Sequence, residues 1–127
     1  MSHMNNYECM VKVEVSFLPE QSDIEHNRYA FAYHVTITNT GNVAAQLISR
    51  HWIIAEASGE QQEVRGLGVV GAQPLLNPGE SYAYSSGTVI KTPMGEMYGT
   101  YQMVAEDGTK FDAVIPTFQL NMPRVLH

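Results

Sequence analysis

The sequence has a single cysteine and few basic residues, and each shortage excludes a class of function. Cys9 has no partner in the chain for a disulfide, and its alternation with valines in "ECMVKVEVSF" favours a small apolar side chain facing a core. Seven Lys and Arg stand against 13 Asp and Glu, a formal net charge of −6, without any basic cluster. Because a phosphate backbone is bound by several converging cations, the sequence disfavours nucleic acid as a partner.

Long hydrophobic runs are also missing. No stretch approaches the roughly 18–20 apolar residues that cross a bilayer, and the N-terminus lacks the pattern of a signal peptide. We therefore expect a cytoplasmic protein without a membrane span. Residues 1–127 are interpreted as one domain, in which residues 1–3, Met-Ser-His, are a remnant of cloning.

Helical periodicity is equally scarce. No window of 11 or more residues has a convincing 3.6-residue apolar repeat, and the segment most permissive of a helix, 18–27, is short and polar. Alternation with period two instead predicts a strand over residues 9–17. A second strand lies in "RYAFAYHVTITNT", with five residues facing inward: Tyr29, Phe31, Tyr33, Val35 and Ile37.

Turn residues separate further strands. Ser58-Gly59, Pro78-Gly79 and Asp107-Gly108 each stand between alternating segments, and Asp-Gly is a strong hairpin signal. The spacing predicts an all-β chain of about seven or eight strands, folded as an antiparallel β-sandwich of the fibronectin type III or immunoglobulin-like kind. Trp52 is expected to be buried on a central strand.

The stretch "VRGLGVVGAQP" places Gly66, Gly68 and Gly71 at the spacing G-x-G-x-x-G. In a dinucleotide-binding fold this motif opens a helix, which Pro74 and Pro78 forbid here. Two interpretations stay open. The glycines permit a bulge at the edge of the sandwich or allow a strand to change sheets. Alternatively, their backbone N–H groups form an anion-binding nest, for which Arg65 and Lys91 are the nearest candidate cations.

Metal-binding and catalytic patterns are weak. His34, on a polar strand face, and His51, expected on the face opposite Trp52, could meet a carboxylate such as Glu56, but no ligand spacing imposes this. No serine lies in a G-x-S-x-G elbow, and the acidic residues are dispersed. We predict no metal, no cofactor and no catalytic residues, and hence a protein that is not an enzyme.

Methionine and tyrosine are frequent late in the chain. Met97, Met103 and Tyr101 share a strand face and are expected to fill the core, whereas Met94 and Tyr98 are candidates for a partner-facing surface. Open sheet edges also make a homodimer a reasonable expectation.

Several motifs occur together in an unusual order: "RHWII", the glycine stretch with "QP", "PGESYAY", "GTYQM" and "DGTKFDAVIPTFQL". Through these motifs, residues 8 to 121 closely resemble the ApaG family of bacterial proteins. Its domain is shared with certain F-box proteins and a polymerase-delta-interacting protein in eukaryotes. The resemblance implies a fibronectin type III-like sandwich, a cytoplasmic location, and an association with cobalt resistance and magnesium efflux.

Bacterial members of that family are often encoded beside a diadenosine tetraphosphate hydrolase, which implies pyrophosphate or a dinucleoside polyphosphate as a ligand of the glycine motif. A chain without a membrane span cannot itself move an ion across a bilayer. Our leading hypothesis is therefore a non-enzymatic binding module acting through an unidentified protein partner. The alternative is a small-anion binding protein that uses Arg65 and the Gly66–Gly71 loop.

Overall fold

The computed structural model describes residues 6–123, which form eight strands and two short 3-10 turns. Residues 1–3, interpreted as a cloning remnant, lie outside the described residues. The 3-10 turns, Pro19–Gln21 and Ile24–His26, occupy the segment most permissive of a helix. The strands are β1 Cys9–Phe17, β2 Tyr29–Asn39, β3 Ala45–Glu56, β4 Gln61–Leu67, β5 Leu75–Leu76, β6 Ser81–Ile90, β7 Met94–Ala105 and β8 Lys110–Asn121.

The strands form two antiparallel sheets packed face to face. One sheet has the order β1-β2-β6, and the other has the order β4-β3-β7-β8 with β5 paired to β3. This arrangement confirms the predicted fibronectin type III-like sandwich. The turns at Ser58-Gly59 and Asp107-Gly108 connect β3 to β4 and β7 to β8, as predicted. Within residues 6–123, no helix has the length and apolar character that a membrane span requires.

Aromatic side chains join the two sheets. Trp52 on β3 is buried, which confirms the prediction, and its ring lies 5.5 Å from that of Tyr33 on β2. Tyr101 and Phe118 meet the same indole edge-to-face, with centroids 6.1 and 5.9 Å away. Such contacts add to the hydrophobic energy of burial. The predicted inward residues of β2 are all buried, as are Cys9, Met97 and Met103.

Two bulges change which residues face the core. Ile48 is an extra residue in β3 relative to β7, because Leu47 pairs with Met103 and Ser49 with Gln102. In β8, two residues, Pro116 and Thr117, lie opposite the single residue Tyr98 of β7. A one-residue insertion exchanges the two faces of a strand. Leu47 therefore faces the core before the β3 bulge, and Arg50, Trp52, Ile54 and Glu56 face inward after it.

Candidate functional site

The glycine stretch leaves and rejoins one sheet edge. Gly68 N–H donates to Ile48 O at 2.8 Å, and Leu47 N–H donates to Pro74 O at 3.0 Å. Since Ile48 and Leu47 are adjacent in β3, the five residues 69–73 project from the edge between β4 and β5. We call residues 69–73 the edge loop. The chain bends here without changing sheets.

The tip of the edge loop is a tight turn. Val69 N–H donates to Ala72 O at 2.8 Å, and Ala72 N–H donates to Val69 O at 3.0 Å. The two central residues, Val70 and Gly71, have φ of 47° and 78°, as in a type I′ turn. Val69 is fully buried, whereas Val70 is 68% exposed. A β-branched residue at positive φ is strained, so the fold holds Val70 in an unfavourable conformation at its surface.

Each of the three positions in the motif requires glycine for a different structural reason. A Cβ on Gly66 would lie 2.7 Å from Arg50 Nη2, because the guanidinium lies across this residue. A Cβ on Gly68, whose φ is 63°, would overlap the carbonyl oxygen of Ala72. Gly71 needs only the left-handed backbone of the turn, since nothing lies near its Cβ position. The spacing therefore reflects one close side chain, one close carbonyl and one turn.

Few backbone N–H groups of the motif remain available to an anion. Those of Gly68, Val69 and Ala72 are hydrogen-bonded within the chain. Gly66 lies opposite Arg50 in the same register as the Gly68–Ile48 bond, so its N–H is directed at β3. Within the edge loop, the N–H groups of Val70, Gly71 and Gln73 have no acceptor, and the first two lie at the tip.

Arg65, the predicted assisting cation, is engaged by a carboxylate. Its Nη2 donates to Glu63 Oε1 at 2.8 Å, and His51 Nε2 donates to the same oxygen at 2.5 Å. The hydrogen bond from Arg65, followed by that from His51, lowers the pKa of Glu63 below its ordinary value. Lys91 lies at the other end of β4, where Nζ is 3.6 Å from Glu60 Oε2. It does not face the edge loop.

Arg50 is the residue that sequence reasoning missed. Its Nη1 donates to Leu67 O at 3.0 Å and to Gly68 O at 2.8 Å, so one guanidinium holds the carbonyls at the base of the edge loop. Two such bonds to a cation are stronger than neutral hydrogen bonds. Period two could have revealed this residue, because Arg50 and Trp52 share a strand face.

A shallow groove of about 570 Å³ crosses the outer face of the five-stranded sheet beside the edge loop. On its floor, Ser49 Oγ donates to Gln102 Oε1 and Gln102 Nε2 donates to Thr100 Oγ1, both at 2.8 Å. Charged and apolar groups surround this polar floor: His51, Arg65, Leu67 and Asp112. We call it the outer groove.

The predicted partner residues lie away from the edge loop. Met94, 54% exposed, accepts a hydrogen bond from Ala57 N–H at the hairpin between β3 and β4, the far end of β3. Tyr98 is half-buried and pairs with Ile53 across the ladder. Met94 and Tyr98 therefore belong to a surface separate from the edge loop.

The histidines and Glu56 do not converge. His34 is bonded to Ser85 Oγ at 2.8 Å on the sheet β1-β2-β6, whereas His51 lies on the other sheet. Glu56 is buried, and its Oε1 accepts the N–H of Lys91. Among residues 6–123, no three His, Cys, Asp or Glu side chains are close enough to hold a metal ion.

Comparison with known proteins finds one family. The sequence profile of the ApaG domain matches residues 19–105. Protein ApaG of Methylobacillus flagellatus is 65% identical and that of Nitrosospira multiformis 62% identical, each over the full length of both chains. A crystal structure of a Bordetella pertussis protein described as ApaA superposes with a TM-score of 0.92 at 52% identity. That match covers 97% of this chain and 100% of the other.

We expect alanine substitutions at Gly68 and Gly71 to lower the free energy of unfolding by different amounts. Gly71→Ala should lower the free energy of unfolding by about 1–2 kcal/mol, the cost of a left-handed backbone. Gly68→Ala should cost about 3 kcal/mol or more, because its Cβ also meets Ala72 O. Urea unfolding of both variants checks this, and equal losses would contradict the assigned contact.

Proposed function

Because the chain belongs to the ApaG family, we propose that it is a non-enzymatic cytoplasmic binding module that influences cobalt resistance and magnesium efflux through a protein partner. The link with these ions is what the family resemblance implies, and it is assigned here to the partner. The observation that carries the proposal is Val70, an exposed apolar side chain in a strained conformation at the tip of the edge loop.

The conformation of Val70 is informative because other residues adopt it with less backbone strain. At the first central position of a type I′ turn, Asn, Asp or Gly adopts positive φ with less strain. Stored strain of this kind is concentrated at binding and switching sites. A valine at this position therefore lowers the stability of the fold and exposes apolar surface. Contact with a partner would bury that surface and would account for the strained conformation.

The surroundings of Val70 extend the apolar surface. Leu67 is 76% exposed and Leu75 is 61% exposed, one on each side of the edge loop. They pair with Ser49 and Gln46 of β3, which places them about 10 Å apart along that strand. A continuous apolar patch rimmed by polar residues is typical of a protein-binding surface. The outer groove, with Arg65 and Asp112, supplies such a polar rim.

The variant Val70→Asn tests the backbone strain and the partner contact of this residue separately. The variant should be more stable by about 0.5–1 kcal/mol, because Asn tolerates positive φ, and it should bind the partner less well. A photo-crosslinking amino acid at position 75 should trap the partner in cells when residue 70 is Val. The trapped product should fall by about tenfold or more when residue 70 is Asn.

Met10→Asn is the matched control, since Met10 is an exposed apolar residue on β1, outside the edge loop. It should leave the crosslinked product unchanged. The proposal fails if Val70→Asn is stabilised while crosslinking at position 75 continues as before. Crosslinking at positions 94 and 98 tests separately whether Met94 and Tyr98 contact a partner.

A second candidate function is binding of a small anion, such as pyrophosphate or a dinucleoside polyphosphate, at the edge loop. The observation in its favour is the pair of N–H groups at Val70 and Gly71, two successive left-handed residues without an acceptor in the described part of the chain. Arg65 could join them only by leaving Glu63.

Titration with pyrophosphate and diadenosine tetraphosphate tests this candidate by amide chemical shifts. If the anion binds at the tip, Val70 and Gly71 should shift most, while Gly66 and Gly68 should shift little because their N–H groups remain bonded to β3. Arg65→Gln should weaken such binding severalfold. Absence of shifts at millimolar ligand would remove the candidate.

For the expected homodimer, we propose pairing through β4. This edge strand is exposed along most of its length. Because Gly68 directs its N–H to β3, the odd residues of β4 direct their backbone groups outward. A second β4 paired antiparallel about Val64 would place Glu63 of one copy opposite Arg65 of the other, twice. Opposite charges facing each other stabilise such a pair.

Charge reversal tests this register. E63R or R65E alone should weaken the dimer by about tenfold or more, because like charges then face each other, and the double variant should restore it. Sedimentation velocity measures the association. Val64→Cys should form an intermolecular disulfide, since non-hydrogen-bonded cross-strand pairs have suitable geometry. If Val89→Cys on the β6 edge oxidises equally fast, the β4 register is wrong.

A further inference from the structure

A cleft opens between the two sheets on the side where β4 and β6 are the edge strands. Its volume is about 310 Å³, at the lower limit of small-molecule sites. Gln62 and Val64 of β4 form one wall, and Ser86 and Thr88 of β6 form the other. This inter-sheet cleft lies on the inner face of β4 and shares one lining residue, Arg50, with the outer groove.

Arg50 brings a positive charge into the cleft. The bulge at Ile48 turns its side chain inward, and Arg50 is one of the residues that line the cleft. The guanidinium donates hydrogen bonds to the carbonyl oxygens of Leu67 and Gly68. No carboxylate in residues 6–123 forms an ion pair with it. A half-buried cation without an anionic partner is unfavourable, and an anion in the cleft would offset that cost.

The remaining lining indicates what else the occupant carries. Val64 and Val89 offer exposed apolar surface, and Trp52 lines the cleft although it is only 3% exposed. Gln62, Ser86 and Thr88 offer hydrogen-bonding groups. A bare inorganic ion would leave the apolar surface unused, and a neutral apolar molecule would leave Arg50 unpaired. Both properties are met by one class of compound, a carboxylate or phosphate monoester on a compact apolar body.

We propose that the inter-sheet cleft binds a small organic anion, whose charged end pairs with Arg50 and whose apolar body packs against Val64, the cross-strand neighbour of Trp52. The site does not depend on partner binding at Val70 or on the N–H groups of the edge loop. Because Arg50 also holds the carbonyls of Leu67 and Gly68, an occupant would be coupled to the base of that loop.

Trp52 is the single tryptophan of the chain, so its fluorescence reports directly on the cleft. The probes are benzoate, phenyl phosphate, inorganic phosphate and neutral benzyl alcohol. We expect saturable changes with benzoate or phenyl phosphate, and affinities about tenfold or more lower for benzyl alcohol and for inorganic phosphate. A preference between the first two identifies carboxylate or phosphate as the charged group.

Two variants test the site. Arg50→Gln keeps a hydrogen-bond donor for the loop carbonyls and removes the charge. It should lower the affinity for benzoate or phenyl phosphate by about tenfold or more. If this variant does not fold, Ser86→Phe fills the cleft from β6 without touching Arg50 and should abolish binding. Ala83→Phe, on the exposed face of the same strand, is the control and should bind normally.

Three results would overturn the proposal. The first is the absence of a saturable change with any of the organic anions at about 10 mM, a concentration that detects even weak sites. The second is an affinity for benzyl alcohol or for inorganic phosphate equal to that for the organic anions. Equal binding of benzyl alcohol would mean that the charge is not recognised, and equal binding of inorganic phosphate would mean that the apolar body is not recognised. The third is undiminished binding in Ser86→Phe or in folded Arg50→Gln.

Discussion

The inward face of β3 depends on one extra residue, Ile48. Because side chains alternate along a strand, this bulge allows Leu47 to face the core on one side of it and Trp52 on the other. Without the bulge, His51 would turn inward and the indole would face solvent, and the aromatic contacts between the sheets would be lost. The carbonyl of Ile48 also accepts the N–H of Gly68 and Nε2 of Gln73, so the same residue anchors the edge loop.

Arg50 links that bulge to the surface features. Its side chain is turned inward by Ile48, and its guanidinium crosses Gly66 and holds the carbonyls of Leu67 and Gly68. The same residue lines the inter-sheet cleft. Gly66 and Arg50 are therefore two halves of one packing arrangement, because any side chain at position 66 would displace the guanidinium. The strained tip at Val70 is supported from below by this arrangement and by the buried side chain of Val69.

Three surfaces of different chemistry follow from this geometry. The edge loop and outer groove combine exposed apolar side chains with a polar rim, the cleft combines a cation with apolar walls, and Met94 lies at the opposite end of β3. Arg50 contributes to the first two surfaces, whereas Met94 is separate from both, so only a variant at Met94 can be interpreted independently of the others. The Glu63–Arg65 pair belongs to the β4 edge and concerns association between copies.

Alternation, turn residues and prolines act over a few neighbouring positions, so the amino-acid sequence was sufficient to predict the sandwich, the inward residues of β2, the burial of Trp52 and the exclusion of a dinucleotide fold. The motifs of the ApaG family could also be read from it. The β3 bulge, the short strand β5, the role of Arg50 and the strain at Val70 became visible in the folded chain. These depend on which strand lies beside which, since Gly66 meets Arg50 through pairing between residues distant along the chain, and no local pattern records that pairing.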